Sequence, residues 1–185
     1  MVMLAGVSLP RPEYNKMMKD LIVALKANGP RIKPKVRLLY TGGHADNPEF
    51  FELLQQNDAH VVSDNTGFGT RAADVLICED GDPLEAIINY YFEEKPAATR
   101  QMGTQVERME RLLDLVKQYK ADGVVASRLY MCDLWAFEHF LMRKRLHENN
   151  VPFLELEVDY TPEGQGQIKT RVQAFVESLA DRQTA

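Results

Sequence analysis

The sequence predicts an α/β protein: a parallel sheet of about four or five strands with helices on both faces, a flavodoxin-like or Rossmann-like three-layer sandwich. Short apolar, β-branched runs at residues 36–41, 59–63, 123–127 and 153–158 read as buried strands. Longer stretches between them carry apolar residues at three- and four-residue steps, the period of helices with one buried face. The joints hold turn and cap residues, and strand-helix alternation of this kind favours parallel pairing. A chain of 185 residues suffices for one domain with a real core and is short for two, so residues 1–185 are expected to form a single α/β domain.

The first helix is expected over residues 13–28, where Tyr14, Met17, Met18, Leu21, Ile22 and Leu25 form a stripe that Gly29-Pro30 stops. Residues 36–41 form the first strand, followed by Gly42-Gly43-His44. Asn47-Pro48 then opens a helix, Asn as cap and Pro in the first turn, with Phe50, Phe51, Leu53 and Leu54 on its buried face. The second strand, 59–63, leads into the loop 64–71. Residues 75–78 are ambiguous between a short strand and an extended connection. Asp82-Pro83-Leu84-Glu85 is a capping box that starts a helix running to about Phe92, and Thr104 with Glu107 repeats the box before a helix lined by Val106, Met109, Leu113 and Val116. Strand 123–127, helix 134–149 and strand 153–158 follow. Ile168, Val172, Phe175 and Leu179 mark a closing helix.

The helix from Leu134 is unusual. Leu134, Trp135, Ala136, Phe137, Phe140, Leu141 and Met142 leave its first half almost no polar face, so another domain or chain is expected to cover it.

Composition excludes several classes. A net charge of −5 and a pI near 5.4 argue against a nucleic-acid surface or a polybasic membrane anchor. No apolar run reaches the roughly 18 residues of a membrane span, and the first nine residues lack the basic region of a signal peptide. Two cysteines suggest free thiols and a cytoplasmic protein.

Cys132 stands where a strand gives way to a helix, the edge at which open α/β sheets bind ligands. Backbone N–H groups at a helix start favour a thiolate, suited to a metal ligand or a nucleophile; the alternative is a small buried hydrophobe. Cys78 has no comparable setting, and no second Cys or His sits at metal-ligand spacing from either thiol. Gly42, Gly43 and His44 occupy a place where phosphates often bind, yet fit neither G-x-G-x-x-G nor Walker A, and the favoured alternative is a tight turn. The 64–71 loop either presents Asp64 and Arg71 to a polar site or pairs Arg71 with Asp64 or Asp74. Arg128 joins these as a candidate for contact with substrate or partner. His139 and His147 read as hydrogen-bonded core or surface residues.

Longer stretches resemble a known family. Gly123-Val124-Val125 with Met131-Cys132-Asp133, then Val151-Pro152-Phe153-Leu154-Glu155-Leu156-Glu157, then Gly164 to Glu177 with Thr170-Arg171-Val172 and Ala174-Phe175, resemble the closing portion of 2-hydroxyacyl-CoA dehydratase and benzoyl-CoA reductase subunits. Val61 to Asn65, Gly69-Thr70-Arg71 and Asp82-Pro83-Leu84 extend the resemblance backwards, so that it covers about Leu9 to Glu177. It implies the second domain of a longer subunit in a heteromeric complex that acts on a CoA thioester by one-electron chemistry, with an ATP-dependent activator delivering the electron. It also implies that Cys132 matches a ligand of a [4Fe-4S] cluster held between two domains. Gly67 and Ala97 stand where relatives often carry cysteine. One thiolate cannot hold a four-iron cluster, so other ligands must come from another domain or chain; a cluster-free binding module derived from the family is the alternative. The resemblance does not say which residues are catalytic.

Overall fold

A computed structural model describes residues 2–29, 32–43, 48–55, 58–101, 103–159 and 165–184. The chain divides into two compact units, Met1–Pro34 and Lys35–Ala185. The first holds α1 (Val2–Ser8) and α2 (Arg11–Asn28). The residue pattern does not foretell α1. Gly29, whose N–H bonds the Leu25 carbonyl, ends α2 as the sequence suggests, and the helix begins two residues before the expected Glu13, with Pro12 in its first turn. Its apolar stripe has no buried residue.

The second unit runs β1 (Val36–Gly42), α3 (Pro48–Leu54), β2 (Ala59–Asn65), α4 (Pro83–Asn89), α5 (Gln105–Gln118), β3 (Gly123–Leu129), α6 (Asp133–Glu148), β4 (Phe153–Val158) and α7 (Gln165–Thr184). Four parallel strands lie in the order β2-β1-β3-β4, the first four places of the flavodoxin-like arrangement rather than the Rossmann-like one. Residues 75–78 form no strand.

Side-chain alternation along the strands divides the core between two layers. Leu38, Tyr40, Val125, Leu154 and Leu156 pack with Leu54 of α3 and Val172, Val176 and Leu179 of α7. Leu39, Val124 and Ala126 face the other way, onto Leu112, Leu113 and Val116 of α5 and Met142 and Leu146 of α6. Helices therefore cover both faces, as parallel strands require.

Two details depart from expectation. Asp82 caps α4 as predicted, accepting the N–H groups of Leu84 and Glu85, but Thr104 caps nothing with its side chain. Its hydroxyl instead donates to the Gln101 carbonyl and accepts from Arg108. The helix from Leu134 buries one face that includes polar residues: Glu138 and His139 point inward with Met142 and Leu146, Trp135 and Leu141 pack partly against the same core, and Phe137 and Phe140 are 76% and 60% exposed. Asn47, expected to cap α3, lies outside the described residues.

Candidate functional site

β1 is followed in sequence by β2 on one side of it and in space by β3 on the other, so the chain changes direction between β1 and β3. At such a point the loops after adjacent strands diverge and leave a crevice. An open cleft of about 1220 Å³ lies there. Gly42 and Gly43 line it from the end of β1, Asp64 to Arg71 from the end of β2, Leu129 and Cys132 from the end of β3, and Leu134 and Trp135 from the start of α6. Thr99 and Arg100 close it from the segment before α5.

Each wall has a local cause. Gly42 sits at φ +140°, and any Cβ there would run into the carbonyl of Ser127. Only glycine lets β1 and β3 approach this closely at the rim, where Gly43 donates its N–H to the same carbonyl at 3.0 Å. Beneath them the Tyr40 hydroxyl meets the Ser127 hydroxyl at 2.5 Å. Burial, against that hydrogen bond, pushes the phenol up to about 12.

The β2 loop is folded around Asp64. Its carboxylate accepts the Thr66 and Thr70 backbone N–H groups at 2.9 and 3.2 Å and their hydroxyls at 2.6 and 2.9 Å. Neither suggested pairing of Arg71 forms, because Asp74 binds Arg111 instead, at 2.5 Å. Arg71 is left half-buried on the cleft wall. Burial, then Arg111 and Arg108, lower its pKa from the usual guanidinium range, partly offset by Asp64 and Glu138.

The third wall turns on Met131, at φ +61°, a left-handed conformation uncommon for a residue with a side chain. The turn closes with the Cys132 N–H on the Leu129 carbonyl at 3.1 Å, and Cys132 becomes the residue that caps α6. Its thiol is half-buried and faces the cleft. Trp135, one helical turn later, lines the same cleft.

Behind this wall α6 is tied to α5 by a buried pair. Arg108 donates Nε to Glu138 Oε1 at 2.7 Å and Nη2 to Oε2 at 2.8 Å. Its Nη1 reaches the Thr104 hydroxyl and the carbonyls of Gln101 and Ala98 at 2.6, 3.1 and 3.3 Å. Arg108 thus fixes both the start of α6 and the segment that carries Thr99 and Arg100.

A family model described as 2-hydroxyglutaryl-CoA dehydratase, D-component, matches residues 1–179. The chain belongs to this D-component family. It is similar to the (R)-phenyllactyl-CoA dehydratase beta subunit of Clostridium sporogenes, 24% identical over 182 residues, covering 96% of this chain and 47% of that one. A benzoyl-CoA reductase subunit of Thauera aromatica is 21% identical over 182 residues, covering 97% and 47%. The (R)-2-hydroxyglutaryl-CoA dehydratase, subunit beta, of Acidaminococcus fermentans is 23% identical over 186 residues, covering 96% and 48%. The chain spans between 39% and 48% of the length of the curated relatives it matches.

For a D-component chain the resemblance implies an iron–sulfur cluster, and the residues present do not fit one by themselves. Among the described residues no group of three or more His, Cys, Asp or Glu side chains is arranged to hold a metal ion. Cys132 is the single thiol on the cleft; Cys78 is exposed, not the buried hydrophobe a free cysteine usually is, and lies outside the lining.

The structure brings Gly42, Gly43, Asp64, Arg71 and Cys132 into one cleft. His44 lies outside the described residues. Arg128 is apart from the lining, drawn into the β3–β4 ladder, where it pairs with Glu157 and lies 3.7 Å from Glu155. His139 is fully buried, its Nδ1 3.4 Å from Glu155 Oε1 and its Nε2 without a hydrogen-bond partner among the described residues, and His147 is exposed. Sequence reasoning missed Thr70, Arg100 and Trp135. The Cys132–Trp135 spacing of one helical turn was the available signal for the last. No described helix is long and apolar enough to cross a membrane.

Proposed function

We propose that this chain is the cluster-side half of a subunit in a cytoplasmic 2-hydroxyacyl-CoA dehydratase or benzoyl-CoA reductase type complex. In it Cys132 supplies one thiolate to a [4Fe-4S] site whose remaining ligands come from another domain or chain. The observation that carries this reading is the half-buried Cys132 thiol on a strand-end cleft, in a chain whose family acts on CoA thioesters. A bound cluster would supply the one-electron chemistry on the thioester; electrons would come from an ATP-dependent activator.

The chain's own residues have three tasks in this scheme. The turn before α6 sets Cys132 at the helix start on the cleft wall. Gly42 and Gly43 let the end of β1 close up on Ser127 and Trp135 at the rim. The exposed apolar residues Met131, Leu134, Phe137 and Phe140 offer a surface that a second domain or subunit would cover, excluding water from the cleft mouth.

The isolation of Cys132 from any second described metal-ligating cluster favours one other reading, a cluster-free module that binds a partner or a CoA-like ligand. Turnover separates the two. The complex, assembled anaerobically with its partner chains and activator, is expected to convert a CoA thioester with wild-type chain and to lose that conversion with Cys132→Ser. Equal rates for both would overturn the cluster reading.

A further inference from the structure

The cleft contains a cation, Arg71, whose nearby carboxylates Asp64 and Glu138 are hydrogen-bonded to other groups. Arg71 makes no hydrogen bond or ion pair with any described residue, although it lines the cleft and is half-buried. Its neighbours are differently placed. Arg108 has Glu138, Arg111 has Asp74, and the Asp64 carboxylate is occupied by the Thr66 and Thr70 N–H and hydroxyl donors. Gly67 leaves the space: a Cβ there would stand 3.1 Å from Arg71 Nη2. The other charged side chains among the described lining residues are Arg100 and Asp64, so this lining is cationic in a chain of net charge −5.

We propose that Arg71 anchors an oxyanion, a phosphoryl or carboxylate group, of the ligand that fills this cleft. The guanidinium fork is rigid and permanently charged, and it matches such groups with two parallel hydrogen bonds. Burial and the nearby Arg111 and Arg108 disfavour the bare cation, and a bound anion relieves that cost. The inference rests on the CoA-thioester reading for the identity of the ligand, where the oxyanion comes either from the phosphoryl groups of CoA or from an acyl carboxylate. It does not rest on that reading for the presence of the anion site.

Trp135 is the single tryptophan of the chain and lines the same cleft, so its fluorescence reports binding. The full chain is titrated with CoA, with pantetheine, which lacks phosphoryl groups, and with glutaryl-pantetheine, which carries only a carboxylate. Pyrophosphate and glutarate complete the set. Arg71→Gln is expected to weaken the oxyanion-bearing probe by roughly tenfold or more, with Arg71→Lys in between, and to leave pantetheine unchanged. Loss on CoA identifies a phosphoryl source, and loss on glutaryl-pantetheine a carboxylate source. If wild type binds CoA and glutaryl-pantetheine and both variants bind each of them equally well, the anchor is overturned while the CoA reading stands. Arg71-dependent binding of pyrophosphate or glutarate without either thioester-type probe keeps the anchor and overturns the CoA reading. Binding of no probe by wild type overturns the anchor. Circular dichroism confirms that the variants are folded, and Arg71→Lys, which keeps the charge, guards against a folding defect in Arg71→Gln.

Discussion

The Arg108–Glu138 pair is the strut on which the cleft's back wall depends, and it invites a quantitative test. Both side chains are almost fully buried, at 7% and 5% exposure, and meet through two hydrogen bonds of 2.7 and 2.8 Å. Glu138→Ala would leave a buried guanidinium whose remaining partners are one hydroxyl and two carbonyls, none of them charged. Removing one member of such a pair costs about 3–5 kcal/mol, against total stabilities of about 5–15 kcal/mol for domains. Replacing both, as Arg108→Met with Glu138→Ala, removes the stranded charge and should cost much less than the sum of the single changes. Urea unfolding of the four proteins measures this as a double-mutant cycle. The Ala98–Thr104 segment should also lose amide-exchange protection in the Arg108 variant, since its carbonyls lose their donor. A cost for Glu138→Ala near that of an exposed ion pair, below about 1 kcal/mol, would refute the reasoning.

Two further predictions concern pH and one the rim. Burial lowers the His139 pKa below its ordinary 6.5, against Glu155, which raises it, and with Arg128 and Arg143 adding to the lowering. The folded state therefore resists the proton that the unfolded chain accepts, and stability is expected to be full above about 6.5 and to fall as pH drops below it. His139→Gln should flatten that slope in unfolding measured from pH 7 to 5; an unchanged slope would remove His139 from the account. Burial pushes Glu155 up, but the Arg143 hydrogen bond and the charge of His139 outweigh it and hold the carboxyl below its usual value, so a second loss should follow below about pH 4.5. Tyr40→Phe should cost about 1–2 kcal/mol by stranding the buried Ser127 hydroxyl. It should also remove Tyr40's share of the alkaline destabilisation expected as pH rises from 10 through about 12, where the unfolded phenol ionises and the folded one resists.

The strands and their layers were legible because β-branched runs and alternation encode burial on two faces: Leu38 and Tyr40 against Leu39 is readable from the sequence and holds in the core. Parallel pairing followed from the intervening helices. The inward face of α6 was not legible, since burying Glu138 rather than Phe137 depends on a charge thirty residues earlier in the chain. A signal existed: Arg108 sits at helical spacing from Leu112 and Leu115 on the buried face of α5, where an arginine needs a partner. The same arginine takes the Thr104 hydroxyl and so cancels an otherwise sound capping box. Of the candidate site, the glycine pair, Asp64, Arg71 and Cys132 could be named from strand-end position alone, because loops at that edge converge. What they do to one another could not. Asp64 organises its own loop and leaves Arg71 free for the cleft, a division decided by two threonines whose donors fit the carboxylate better than the guanidinium does.

Whether Cys132 holds a cluster is decided by iron and acid-labile sulfide content. The chain is purified under strict anaerobiosis together with whatever partner chains accompany it, wild type beside Cys132→Ser. A four-iron cluster is expected with wild type, and the serine variant is expected to lose it or hold it in altered form. Wild-type complexes that contain no iron, or a serine variant that retains an unchanged cluster, would contradict it.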